Sequence, residues 1–146
     1  MKYTYRLAAE TDGDACAKIV QNWVAEKPWL PPLDDFDRLS AFWRGCLHHV
    51  ETSWVGLNND EVVGFCVRED DNLTALYLAA GARSQGVGKA LLDLAKHDRD
   101  WMTVWALDLN PKARKFYRRE GCVEISRDIE DDTNLVDVEH RWTRPK

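Results

Sequence analysis

The chain contains no apolar run near the ~20 residues that a membrane-spanning helix requires, and its first ten residues hold no apolar stretch behind Lys2 and Arg6. Neither a membrane partner nor a secretion signal is expected, and the expected location is cytoplasmic. Basic residues are outnumbered, 20 Lys and Arg against 25 Asp and Glu, for a formal net charge of −5. No nucleic-acid partner is expected, because neutralising phosphates takes a surplus of basic residues on one face. Cysteines are few and scattered: Cys16, Cys46, Cys66 and Cys122 form no C-x-x-C pair, so the sequence encodes neither a zinc knuckle nor a redox motif. They read as buried thiols of a reducing compartment. His48 and His49 are adjacent and diverge by about 100° on a helix, while His97 and His140 have no cysteine or carboxylate at a ligand spacing. The expected metal content is none. Linkers, repeats and low-complexity tracts are also missing, so residues 1–146 are expected to form one domain with a substantial core.

What is present is a clear succession of periodicities. Lys2 to Leu7 alternates and is aromatic, which predicts a strand. Ala15, Cys16, Ile19, Val20, Trp23 and Val24 recur at helical spacing, with Thr11 and Asp12 as capping candidates and Pro28 as the stop. Leu39, Phe42, Trp43, Cys46, Leu47 and Val50 trace a second helix capped by Asp34 or Asp35. Trp23 and Trp43 lie on the apolar faces and are expected in the core. A three-strand meander follows, Ser53 to Leu57, Val62 to Arg68 and Leu73 to Ala79, with polar turns between its members. A helix around Leu91, a strand from Trp101 to Leu107, and a helix entered at Asn110-Pro111 and ended at Gly121 come next. Val123 to Arg127 and Val136 to Trp142 close the chain as two strands. This order predicts an α/β (α+β) fold: a mixed, mostly antiparallel sheet of about seven strands, flanked by four helices on both faces.

The segment Gly81-Ala82-Arg83-Ser84-Gln85-Gly86-Val87-Gly88-Lys89-Ala90 joins the third meander strand to its helix. It fails the Walker A template, since Lys89 is followed by Ala90 where a hydroxyl is needed. It also fails G-x-G-x-x-G, since Leu91 stands where the third glycine belongs. What remains is Arg-x-x-Gly-x-Gly over Arg83, Gly86 and Gly88. Two glycines permit close approach to an anion, the amides and helix dipole favour negative charge, and Arg83 and Lys89 add full charges. The same glycines could equally make no more than a tight strand-to-helix turn.

In this setting the stretch from Leu76 to Leu92 resembles the fourth strand, pyrophosphate loop and third helix of the GNAT superfamily of acetyl-CoA-dependent N-acetyltransferases. Asn110-Pro111-Lys112-Ala113-Arg114-Lys115-Phe116-Tyr117-Arg118-Arg119-Glu120-Gly121 is similar to that family's later asparagine, alanine, Phe-Tyr and glycine pattern. The resemblance implies a GNAT-like sheet, its fourth and fifth strands splayed apart beside Tyr77 and Leu78, and acetyl-CoA as co-substrate. The amides of Arg83, Gln85, Gly86, Val87, Gly88 and Lys89 would cradle the pyrophosphate, and the backbone of Tyr77 and Leu78 would pair with the pantetheine arm. Asn110 and Ala113 would line the thioester end, and Tyr117 would act as general acid to the CoA thiolate. The chemistry suits a phenol: a thiol has a pKa near 8.5 and tyrosine near 10, so a hydrogen bond or proton from Tyr117 offsets the developing charge.

The acceptor implied is a primary amine, on a small molecule or a peptide. A base is needed for it, but Leu73 to Leu78 contains no carboxylate, and Asp71, Asp108 and Glu139 are unsupported candidates. The stiff connection from Glu26 to Leu33, with Trp29, and the acidic late loop, with Asp131, are the expected acceptor-binding segments; carboxylates and an indole would select a cation. A catalytically inactive CoA-binding or acyl-CoA-sensing module is the alternative, and a homodimer through the last strands is compatible with either.

Overall fold

The computed structural model describes residues 2–33 and 35–146. Its elements are β1 (Tyr3–Leu7), α1 (Gly13–Ala25), α2 (Phe36–His49), β2 (Ser53–Asn58), β3 (Glu61–Glu69), β4 (Asn72–Leu78), α3 (Val87–Lys96), β5 (Trp101–Leu107), α4 (Pro111–Arg119), β6 (Cys122–Ile129) and β7 (Val136–Thr143). The sheet runs β1-β2-β3-β4-β5-β7-β6, antiparallel at every junction except β4–β5. The mixed, mostly antiparallel sheet flanked by helices on both faces is therefore as its periodicities predict.

Alternation along β3 explains why the sheet needs cover on both faces. Phe65 and Val67 join Ile19 and Val20 of α1 and Trp43 and Leu47 of α2 in one core. Cys66 instead joins Leu91, Leu92 and Ala95 of α3, together with Met102, Val104 and Trp142, in a second core on the opposite face. With both faces of the strand buried, near-continuous hydrophobicity replaces a polar alternation.

Helix ends follow the chemistry of orphan amides with one departure. Asp35 caps α2 by accepting the Arg38 amide at 3.0 Å; the other candidate, Asp34, lies outside the described residues. Asp12 does not cap α1. It already has helical φ and ψ at the end of a 3-10 turn, and its carboxylate folds back to accept the Ala9 amide at 2.8 Å and the Arg6 guanidinium at 2.8 Å. Asn110 accepts the Ala113 amide at 3.2 Å at the head of α4, with Pro111 first in the helix, and Gly121 ends the segment at φ +92°.

Helices α1 and α2 approach so closely that a Cβ on Gly13 would stand 2.5 Å from Arg44 Cγ and 2.7 Å from its backbone nitrogen. Gly13→Ala should therefore cost about 1–3 kcal/mol through overpacking, read as a lower denaturant midpoint at constant slope.

The feature that positions the site is a parting of strands. β4 and β5 share only Asn72↔Thr103 and Leu73↔Val104, after which β5 stays with β7 as far as Leu107↔Asp137. The end of β4, through Tyr77 and Leu78, remains bonded to β3 and, among the described residues, has no strand partner on its β5 side.

Candidate active site

Where β4 leaves β5 a cavity of about 530 Å³ opens between the sheet, α3, α4 and the end of α1. Tyr77 and Leu78 form its β4 wall. The loop before α3 adds Arg83 and Ser84, α3 adds Gly88, α4 with its cap adds Asn110, Ala113 and Tyr117, and α1 with the residues after it adds Trp23 and Lys27.

At the head of α3 a row of backbone donors is left unspent. The Ala82 and Arg83 amides close a 3-10 turn onto Ala79 and Ala80, and the next engaged amide is that of Ala90, bonded to the Gly86 carbonyl. Among the described residues the amides of positions 84–89 make no hydrogen bond. Gly86 adopts φ +85° and Ser84 φ +60°, and the free amides stand at the positive end of a ten-residue helix. Glycine suits position 86 because an L side chain would be strained there.

The cavity is strongly cationic although the chain is acidic. Lys27, Arg83, Lys112, Lys115 and Arg119 line it, and none of its lining residues is a carboxylate. Three of these occupy α4 at i, i+3 and i+7, a basic stripe that was readable in the sequence but masked there by the negative total. Arg83 reaches Glu26 Oε1 at 2.8 Å and holds that carboxyl below its ordinary range, which ties the loop to the end of α1.

Tyr117 is 6% exposed, edge-on to Phe116 with ring centroids 5.3 Å apart, and 5.7 Å from the ring of His140. Burial pushes its phenol well above the ordinary value of 10, so it holds its proton throughout the neutral range. Tyr77 is stacked on Phe65 and meets Trp23 edge-on at 5.3 Å, and burial raises its phenol as well.

Of the residues expected at the site, the structure gathers Tyr77, Leu78, Arg83, Gly88, Asn110, Ala113 and Tyr117 around one cavity. Gln85, Gly86, Val87 and Lys89 do not line the cavity. The Gln85 side chain bonds the Gly81 carbonyl and the Tyr3 hydroxyl, Val87 is fully buried, and Lys89 pairs with Asp93 at 2.9 Å. Trp29 is half-buried and Asp131 exposed, and neither lines the cavity. Trp43 is core as expected, but Trp23 is a cavity wall: α1 ends beside Tyr77, which leaves one indole face to Lys27 Nζ at 4.9 Å. The helical period gave Trp23 an inward face without indicating that an opening lay beneath it.

A sheet parted at its fourth strand, with free amides at one helix head and a buried phenol on the next helix, is the frame of an acyltransferase. The family model described as "Acetyltransferase (GNAT) domain" matches residues 49–123, more than half of the chain, and the chain belongs to the GNAT family of acetyltransferases. It is 24% identical over 125 residues to the peptidyl-lysine N-acetyltransferase YiaC of Escherichia coli, covering 80% of this chain and 83% of that one. With the peptidyl-lysine N-acetyltransferase YjaB of Salmonella typhimurium it shares 31% over 80 residues, 54% of this chain and 55% of the relative. The fold is that of apo YjaB from Escherichia coli, with a TM-score of 0.81, 22% identity and coverage of 99% and 100%. It is also that of yncA from Salmonella typhimurium, a structure that holds acetyl-CoA, with a TM-score of 0.72, 16% identity and coverage of 100% and 96%.

Proposed function

We propose that this chain moves the acetyl group of acetyl-CoA to a primary amine by direct attack in a ternary complex. The observation that carries the reading is that the unspent amides of positions 84–89 and the Tyr117 phenol flank one cationic cavity. The amides and Arg83 suit a pyrophosphate, and Lys112, Lys115 and Arg119 add countercharge for a polyanionic ligand. The unpaired edge of β4 at Tyr77 and Leu78 offers donors and acceptors to an amide-bearing arm, in the manner of an added strand. Asn110 and Ala113 line the same cavity and suit its thioester end.

Bound acetyl-CoA supplies an activated acyl carbon with a thiol leaving group. The chain orients that ligand, shields it from water and donates a hydrogen bond from Tyr117 to the departing sulfur. Because burial holds the phenol well above a thiol's pKa of about 8.5, Tyr117 stabilises the thiolate chiefly by sharing its proton. The names of two relatives support a lysine side chain on a peptide as the acceptor. The basic lining argues against selection of a cation by carboxylates, since the acidic loop around Asp131 lies away from the cavity.

Thermal unfolding with acetyl-CoA tests the first step: at about 100 times Kd the ligand should add about 2.7 kcal/mol of stability and raise the melting temperature. Thiol release in the presence of a lysine peptide tests the second. No shift at millimolar acetyl-CoA would overturn the reading.

A further inference from the structure

Acetyl transfer to an amine leaves the nitrogen with a proton to lose, and the cavity lining contains neither a carboxylate nor a histidine. We infer that Asp137, second residue of β7, takes that proton at the opening between β4 and β5. The assignment rests on the amine-transfer reading above.

Register and alternation place it there. Asp137 lies opposite Leu107, at the level where β5 has already left β4, and the Asp108 amide bonds the Val136 carbonyl at 2.8 Å to lock that end of β7 against β5. Val138, His140 and Trp142 are buried on the sheet face that carries Tyr117, so Asp137 projects from the other face, the side on which Tyr77 meets Trp23. Its negative charge acts on the Tyr77 phenol, which lines the cavity.

Most surrounding carboxylates hold arginines or side-chain hydroxyls, whereas Asp137 accepts only from the Val138 amide among the described residues. Asp108 receives Arg114 at 2.8 Å and Arg127 at 2.9 Å, and Glu124 receives Arg114 at 2.6 Å and Arg118 at 3.1 Å. Glu139 accepts from the Ser126 hydroxyl at 2.8 Å and Glu130 from the Thr133 hydroxyl at 2.7 Å, while Asp128 accepts the next residue's amide as Asp137 does but is exposed. Asp71 pairs with Arg99 beside the first residue of β4, at the opposite end from the opening. Among the described residues Asp137 has no cation and no side-chain donor, and it is half-buried. A bound cation weakens a base and partial desolvation strengthens one. The absence of a cation separates Asp137 from Asp108 and Asp71, and the absence of a side-chain donor separates it from Glu139.

In the step itself the amine nitrogen forms the N–C bond to the acyl carbon and the C–S bond breaks with its electron pair on sulfur. The proton left on nitrogen passes to an Asp137 carboxylate oxygen, directly or through one water. The thiolate, held by Tyr117, takes a proton from solvent, and Asp137 returns its own to solvent.

Groups near Asp137 are the Tyr77 phenol from β4, Asp128 of β6 directly opposite in register, Glu130 from the loop after β6, and Glu139 two residues on along its own strand; Asp108 with its two arginines follows Leu107, the residue paired with Asp137. Burial and the Glu130 charge raise its carboxyl above the ordinary range. The charged form is therefore the costly one in the fold: stability tied to this group is full below its unfolded value and is lost as pH rises through the folded one.

The test compares wild type with Asp137→Asn and Asp137→Glu, using acetyl-CoA with a terminally blocked single-lysine peptide and with a peptide bearing a free α-amine. Asp137→Asn should lower kcat at least about tenfold near pH 8 while acetyl-CoA affinity by calorimetry is unchanged, and Asp137→Glu should recover part of the rate. The wild-type to Asn ratio should shrink toward unity as pH falls through the raised carboxyl pKa, because protonated Asp137 and asparagine are alike. Without acetyl-CoA, Asp137→Asn should melt no lower than wild type at neutral pH. A kcat within about twofold of wild type, or a large loss whose ratio does not move with pH, overturns the assignment alone. Wild-type protein that acetylates neither peptide overturns the transfer reading and this assignment together.

Discussion

Tyr117→Phe should lower kcat about 100-fold and leave acetyl-CoA affinity within about twofold, because the lost group acts on charge that exists only as the thioester opens. The ring survives the substitution, so the contacts with Phe116 and His140 and the wall of the cavity are kept. No described side chain bonds the phenol oxygen, and removal of the hydroxyl leaves no buried partner stranded, so the melting temperature should hold. Stopped-flow thiol release and calorimetry separate the two effects. The pH behaviour adds a second check. Burial raises the Tyr117 phenol, so it is protonated below its elevated value and cannot lose its proton within about pH 6–9. A basic limb in wild-type kcat inside that window must come from another group. Unchanged kcat in Tyr117→Phe would remove the phenol from the reaction.

Much of this arrangement was legible before any coordinates, for reasons that are local. Asn110-Pro111 at the entry to α4 and Gly121 at its exit are capping chemistry, which acts within one turn of chain and is visible as spelling. The Arg-x-x-Gly-x-Gly loop is likewise written in consecutive residues, and its amides fall at the head of a helix as that spelling requires. The meander and the two apolar helices declare themselves through period alone. What stayed hidden depends on residues that meet only in the fold. The separation of β4 from β5 is not encoded in either strand and was expected only through the family resemblance: it follows from β5 keeping its register with β7. Trp23 consequently read as core, and the basic stripe of α4 was lost in a negative net charge. Asp137 had no motif to announce it. It looks like one more acid in an acidic stretch until its neighbours are seen to hold arginines or hydroxyls while it holds neither.

The largest loss of ligand affinity is expected from Gly86→Glu, which should weaken acetyl-CoA binding by about 1,000-fold or more. Two costs add. At φ +85° a residue with a side chain is strained by about 1–2 kcal/mol, and relief of that strain would rotate the neighbouring peptide planes and displace the free amides around it. The second cost is electrostatic: a carboxylate about 4 Å from a phosphate charge, at a surface dielectric near 20, opposes binding by about 4 kcal/mol. Gly86→Ala separates them. A Cβ at this position meets no atom within 4 Å, so alanine brings the backbone strain without a clash or a charge, and should weaken binding by only about tenfold. Raising the salt concentration should recover part of the affinity of Gly86→Glu and little of that of Gly86→Ala, since screening acts on the charge alone. Calorimetry of the three proteins at two ionic strengths reads all of this. If Gly86→Glu binds acetyl-CoA as wild type does, the loop is only a turn and the anion site lies elsewhere in the cationic cavity.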